Sequence, residues 1–400
     1  MIEIFGAKFS NKGAELMLRS MVAVLRDRKP DIDLAIEPSS DASYQTRASL
    51  GLAHIFPSPL LYNPSVCRFL FRSSLARKLV YAPTRLGLNA TARSMLGLVE
   101  RQDADALIDI SGYAFGDKFS WVKTANAADR AEIYARRGKP VIYMPQMFGP
   151  FKNPKTRHHF KRCLDTATRV YVRDRISMDH VRELCDDQDK VRPAPDLTIF
   201  SPLPLPDPDV QLPARYGCII PNEKMLQQGA SDWAESYEPL LCEAAAVMNR
   251  NGVQPVVLVH SRDPGDRRLA SSLIEQFADR GIASPLVDHP DPLVLKSVIR
   301  SSVLVVGSRF HGLVAALSTG VPMVALGWAH KYVALAEDFG VADFVHGPQE
   351  SPADLAGRIQ TLINDQTAEP IRAIIRDRRQ DLRAGYDAAI SDVFELLGLA

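Results

Sequence analysis

Cysteine is scarce in this 400-residue chain. There are five, Cys67, Cys163, Cys185, Cys218 and Cys242, with no CxxC and no Cys/His spacing of a metal site. A disulfide scaffold and a structural zinc centre are therefore not expected, and a reducing compartment is. Net charge is lacking too: 48 Lys and Arg stand against 47 Asp and Glu, a formal +1. No bulk attraction draws the chain to nucleic acid, so none is expected as a partner. No apolar run reaches the roughly 18–20 residues of a membrane helix. The opening "MIEIFGAKFSNKG" reads as a strand leading into a loop rather than a signal peptide. The expected location is cytoplasmic, at most at the inner face of a membrane. GxGxxG, P-loop, HExxH, EF-hand and Ser–His–Asp patterns are all missing. One stretch lacks acid altogether: no Asp or Glu occurs between positions 42 and 99.

What is present is 46% hydrophobic residues, enough for an ample core, in a length that suits two or three domains. Strand-like and helix-like segments alternate almost throughout. Strands are predicted at 2–6, 34–37, 106–110, 141–144 and 169–173, with helices at 14–28, 126–137 and 154–166. "SPLPLPDPDVQLP" follows at 201–213, with five prolines, and reads as an extended linker. A second alternation has strands at 216–220, 255–260, 304–306 and 323–326, and helices at 232–251, 264–280, 292–300, 310–319 and 331–339. Such alternation predicts an α/β chain of parallel sheets covered on both faces. We expect two Rossmann-like domains facing a cleft, residues 1–200 and 214–365, joined by the linker and followed by C-terminal helices over 366–400.

The acid-free segment carries Arg68, Arg72, Arg77, Lys78, Arg85 and Arg93 among apolar and aromatic residues. Two readings stand. It is a basic amphipathic patch for peripheral membrane contact or for an anionic, lipid-linked acceptor, or it is a solvated helical insertion packed on the first domain.

The stretch "VLVVGSRFHGLVAALSTGVP" at 303–322 places Ser308, Arg309 and His311 where a buried strand ends and a helix begins. Ligands of open α/β sheets bind at such strand ends. A helix N-terminus and an arginine fork suit a carboxylate or phosphate, and a histidine moves protons near neutral pH. Other predicted strands end in similar loops. Asn11 and Gly13 follow the first, Ser111, Gly112 and Asp117 the strand at 106–110, Gln146 and Gly149 the next, and Arg173 the one after. Lys331 follows "PMVALGW". Arg173, Arg309, Lys331 and His311 around one cleft would suit a small, multiply charged anion. Asp117 reads either as a general base or as a turn or cap residue, and Arg173 either as a ligand group or as half of a local ion pair.

Together "NKGAELML", "ISGYAFGD", "MPQMFGPF", "VRDRIS", "PDLTIF", "SRFHGLVAALSTGVPMVAL" and "GWAHKY" resemble the polysaccharide pyruvyl transferase family. The resemblance runs from residue 11 to about 332. Many members have a run of glycines where this chain has "ISGYAFGD", which points to a distinct acceptor loop. The resemblance implies a glycosyltransferase-B-like pair of domains and transfer of the pyruvyl group of phosphoenolpyruvate onto sugar hydroxyls, forming a cyclic ketal. Phosphoenolpyruvate is then a co-substrate, and no metal or organic cofactor is implied. By motif position the donor site would hold Arg173, Arg309, Ser308, Gly312 and Lys331, with His311 as acid/base. Asn11, Gly13, Ser111, Gly112, Gln146 and Gly149 would belong to the acceptor or the cleft. The competing readings are a nucleotide-sugar glycosyltransferase of B-type fold, with Glu337 at the ribose, and a non-catalytic binding protein of a polysaccharide pathway.

Overall fold

The computed structural model describes residues 1–55, 96–227, 233–327 and 330–400. Two wholly parallel sheets organise it. The first holds β1 (Ile2–Phe5), β2 (Leu34–Ile36), β3 (Leu52–Ile55), β4 (Leu98–Val99), β5 (Ala106–Asp109), β6 (Tyr113–Phe115), β7 (Val141–Phe148), β8 (Arg169–Val172) and β9 (Val191–Pro193). Their order is β4-β3-β2-β1-β5-β7-β8-β9, with β6 paired to β7. The second holds β10 (Tyr216–Ile220), β11 (Gln254–Leu258), β12 (Leu286–Val287), β13 (Val305–Gly307), β14 (Met323–Leu326) and β15 (Val345–His346), ordered β12-β11-β10-β13-β14-β15. The central strands are apolar runs, buried along their whole length in β7 and β10, because helices cover both faces of each sheet. In each sheet the order reverses beside its first strand, between β1 and β5 and between β10 and β13. Ligands gather at such switch points.

Polar caps set the helix starts. Asn11 Oδ1 accepts from the amides of Gly13 (3.0 Å) and Ala14 (3.3 Å) to open Lys12–Arg28. Asn153, Asp263, Asp291 and Ser351 cap helices whose first residue is Pro154, Pro264, Pro292 or Pro352. There proline needs no amide partner and its φ already suits the helix. Three boundaries differ from the sequence expectation by four residues or more, one of them the helix expected from 232, which begins at Tyr237. Ser120 caps a helix that begins at Trp121 rather than at 126, and β7 runs on to Phe148.

The proline-rich stretch 201–213 contains neither helix nor strand. Of the acid-free segment, residues 56–95 lie outside the described residues, so Cys67 and the cations from Arg68 to Arg93 do as well. The tail holds a 12-residue helix, Pro352–Ile363, and a 32-residue helix, Asp365–Leu396. The long helix starts beside the second half, where Ile375 joins the core, and ends on the first, where Tyr386, Ala389 and Val393 join it. Local contacts also tie the halves: Arg262 N donates to Ser10 O (2.8 Å), Arg19 pairs with Asp291 (3.0 Å), and Lys296 Nζ donates to Thr198 O (2.8 Å). No helix among the described residues is long and apolar enough to cross a membrane.

Candidate active site

The loops at the two switch points face each other across a cleft of 560 Å³. From the first half Asn11, Ser111, Gly112 and Arg173 line it, and from the second Ser308, Arg309, His311 and Lys331. Among the described residues, eight Lys or Arg side chains line the cleft against one carboxylate, Glu37.

The strand end at 307–312 is shaped by contact with β10. A Cβ on Gly307 would lie 2.9 Å from Ile220 O, and one on Gly312 would lie 2.8 Å from Ile220 Cδ1, so glycine lets the turn and the helix Phe310–Ser318 close onto that strand. Gly312 is thus a packing residue rather than a donor ligand. Ser308 lines the cleft, but its hydroxyl is engaged in the wall behind it. It is fully buried, its Oγ is bonded to Tyr237 Oη (2.8 Å), and its carbonyl accepts from Asn222 Nδ2 (3.0 Å) and Tyr332 Oη (2.7 Å). It fixes the strand end from behind.

The guanidinium of Arg173 lies 4.2 Å from the Phe310 ring centroid, and the Lys331 ammonium lies 5.7 Å from it. The ring face attracts both cations and helps hold them close to each other. Each arginine is anchored by a buried carboxylate that sequence reasoning missed. Arg173 Nη1 donates to Asp196 Oδ2 at 2.5 Å, and Arg309 Nη2 donates to Asp266 Oδ1. Asp196 lies in "PDLTIF", a segment quoted only for its resemblance. Its spacing from any strand end gave no signal, and β9 and the turn after it bring it in. Asp266 stands in the first turn of Pro264–Ala278, where an acid suits the helix dipole and gives no sign of a second role. Anchoring leaves the remaining N–H groups of each fork for a ligand.

His311 lies at the seam. A Cβ on Gly13 would fall 2.0 Å from His311 Cγ, so the start of Lys12–Arg28 presses directly on the imidazole. Gly13 is a glycine for this contact rather than for ligand access. His311 Nε2 makes no hydrogen bond and faces Asp196 Oδ2 at 3.7 Å. Burial pushes the imidazole down to about 4; Asp196 opposes this, while Arg173 and Lys331 add to it. Burial, then Arg173, pushes Lys331 down to about 7. For Asp196, burial acts to raise the carboxyl, but Arg173 and His311 hold it below its ordinary value. The unliganded cleft therefore carries a neutral imidazole and an ammonium that loses its proton near neutrality.

Four further sequence expectations fall elsewhere. Asp117 braces a turn: its oxygens accept from the amides of Lys152 (2.6 Å) and Asn153 (3.1 Å), and it does not line the cleft. Engaged in that turn and outside the cleft lining, it is not placed to act as a general base there. Gln146 is fully buried on β7 and donates to Asp109 Oδ1 (3.2 Å). Gly149, at φ +83°, packs against His180 and precedes a cis peptide to Pro150. Both sit outside the cleft lining, because β7 runs further than its apolar start suggested. Glu337 is exposed on His330–Asp338, away from the cleft.

The sequence profile of the polysaccharide pyruvyl transferase family matches residues 11–330. No curated protein matches the chain in sequence. Solved structures share its fold at low identity. The UDP-GlcNAc 2-epimerase of Neisseria meningitidis, bound to UDP-GlcNAc, is 12% identical, with 99% of this chain and 98% of that one covered and a TM-score of 0.60. A glycosyltransferase from Rickettsia africae gives 10%, 99%, 98% and 0.55. Anabaena Alr3699/HepE, in complex with UDP-glucose, gives 12%, 98%, 99% and 0.54. The architecture is the glycosyltransferase-B type shared by such transferases and epimerases.

Proposed function

The chain belongs to the polysaccharide pyruvyl transferase family, and from that premise we propose that it moves the pyruvyl group of phosphoenolpyruvate onto two hydroxyls of a sugar acceptor. One observation carries the reading: Arg173, Arg309, Lys331 and His311, drawn from both halves, line one cleft. A carboxylate and a phosphate on a three-carbon frame need several cations and one proton-moving group in close quarters.

In the proposed reaction C3 of phosphoenolpyruvate gains a proton and the first sugar hydroxyl adds to C2. Phosphate then leaves C2 with its bridging oxygen, and the second hydroxyl closes the ketal. Of the two hydroxyl protons, one balances the proton delivered to C3 and the other leaves with phosphate. Arg173 and Arg309 orient the donor, and Lys331 offsets charge on the departing phosphate. His311 moves the proton, with Asp196 beside it to favour the imidazolium once an anion is bound. The reaction so drawn uses no metal or organic cofactor.

The test is titration with phosphoenolpyruvate and with UDP, followed by mass spectrometry of glycans incubated with enzyme and phosphoenolpyruvate. A product heavier by pyruvate less water supports the reading. Tight UDP binding without phosphoenolpyruvate binding would favour a nucleotide-sugar transferase instead.

A further inference from the structure

Lys296 is a lysine where an apolar residue would be expected. It stands on the helix Pro292–Arg300 of the second half, whose Leu295, Val298 and Ile299 enter the core, and it is only 6% exposed. Burying an ammonium is costly, and among the described residues no carboxylate pairs with it. Its Nζ donates instead to the Thr198 carbonyl at 2.8 Å, across the boundary between the halves. One carbonyl needs one hydrogen, which a hydroxyl or an amide would supply at a smaller desolvation cost. Neither Lys296 nor Thr198 lines the cleft.

Thr198 in turn holds Asp196. Its amide at 2.9 Å and its hydroxyl at 2.7 Å both donate to Asp196 Oδ1. The other oxygen, Oδ2, accepts from Arg173 Nη1 at 2.5 Å and faces the buried, unbonded His311 Nε2 at 3.7 Å. Contacts therefore run from Lys296 in the second half, through the turn at 196–198 in the first, and back to His311 in the second. A gap of 3.7 Å is too long for a hydrogen bond, so the distance from carboxylate to ring is set by where the turn is held. Charge follows the same path. Burial pushes the Lys296 ammonium down to about 8; Asp196 opposes this, and Arg379 adds to it. The charges acting on the His311 ring are Asp196, Arg173 and Lys331, and His260 lies close enough to be repelled by its charged form.

We propose that Lys296 is a positioning residue for the proton-moving step, holding the Asp196 carboxylate through Thr198 in register with both Arg173 and His311. The role rests on the reading of His311 as the acid/base of pyruvyl transfer. A charge-assisted hydrogen bond fixes the Thr198 carbonyl more firmly than a neutral donor would. The turn then fixes Oδ1, and Oδ2 is left at a set distance from the ring. When a bound anion favours the imidazolium, Asp196 already stands where it stabilises that charge, and no side chain has to be reordered at that moment. Lys296 and His311 belong to the same half. Arg173 and His311 therefore stay in register only while the turn at 196–198 keeps its seat on the helix Pro292–Arg300.

The experiment follows the His311 ring by NMR in the full-length protein, labelled with carbon-13 at histidine Cε1, the signal assigned by its loss in His311→Gln. In the free parent the ring should take its proton at about pH 4. Lys296→Met and Thr198→Val should each move that midpoint further down, because Asp196 draws back from the ring, and Lys296→Arg and Thr198→Ser should restore it. Removing a cation with Asp196 unmoved can only move the midpoint up. An upward shift, or none, therefore overturns the proposal. Turnover on an acceptor glycan should fall at least about tenfold in Lys296→Met and Thr198→Val, while phosphoenolpyruvate affinity stays within about threefold, since the donor's cations remain and only the placement of Asp196 has changed. Equal turnover in Thr198→Val and Thr198→Ser also overturns it. If Lys296→Met fails to fold, the Thr198 pair decides, because it leaves the Lys296 bond to the carbonyl in place. The ring titration needs no substrate, so a failure of phosphoenolpyruvate to bind would sink the pyruvyl transfer reading and leave the register of Asp196 to be judged by the midpoint.

Discussion

Burial pushes His311 and Lys331 in the same sense, toward their neutral forms. The free imidazole is neutral, pushed down to about 4, and the Lys331 ammonium titrates at about 7. An anionic donor favours the charged form of both. For Lys331, whose ordinary value is 10.5, donor binding above pH 7 must then take up a proton. The sign follows: affinity for phosphoenolpyruvate should fall as pH rises from about 7 toward 10. A phosphate group's own second proton is gone above pH ~6, so it does not obscure this window. Calorimetry in two buffers of different ionisation enthalpy should show uptake at pH 8 that Lys331→Met abolishes; equal heats in the parent protein would count against it. His311→Gln should lower turnover roughly 10²–10⁴-fold, the range of positioned acid/base catalysis, while donor affinity changes much less. Near-normal turnover would leave His311 a packing residue. For Arg309 the informative change is to Lys, because Arg309→Ala would strand the buried Asp266 and destabilise the fold. Loss of the fork should weaken donor binding by about 1.5–3 kcal/mol. Arg309 and His311 were legible because strand-end chemistry is local in sequence. Asp196 and Asp266 were not, since nothing near them in the chain says which arginine each will meet.

Among the elements, the strands and helices flanking the site could be read from alternation and caps. β10, β14 and the helices starting at Pro154 and Pro292 lie where the pattern put them. The two-residue strands β4, β12 and β15, and β6 on the side of β7, carry too few residues for a period to show; sheet pairing alone defines them. Gly13 is the element-scale counterpart. It lies inside the helix Lys12–Arg28, where alanine is ordinarily better by about 0.5–1 kcal/mol. Here the added methyl would fall 2.0 Å from His311 Cγ. Overpacking of this kind typically costs about 1–3 kcal/mol, so the clash outweighs the propensity. Gly13→Ala should lower the melting temperature and, by displacing the imidazole, cut turnover at least about tenfold. A variant more stable than the parent with unchanged turnover would show that the seam opens freely at that point.

At the scale of the whole molecule, each half has helices over both faces of its own sheet, and its core is largely its own. What fixes one half against the other decides whether Arg173 and Arg309 can share a ligand. The helix Asp365–Leu396 is the longest such tie, with Ile375 in the second half's core and Tyr386, Ala389 and Val393 in the first's. Its far end is anchored further by Arg169, paired with Asp392 at 2.6 Å, and by Tyr171 Oη, which donates to Ala389 O at 3.1 Å. The sequence showed that the tail was helical, but which residues meet which core depends on the angle between halves. Val393 is fully buried, and Val393→Asp would place a carboxylate in an apolar core with no cation built to receive it. The helix end should then detach. Hydrogen exchange should show β1, β5 and β8 losing protection while β10, β11 and β13 keep theirs, and turnover should fall even though no cleft residue has changed. Equal loss of protection in both sheets would mean that the halves unfold as one cooperative unit, and the helix would then be part of a common core rather than a clamp between two.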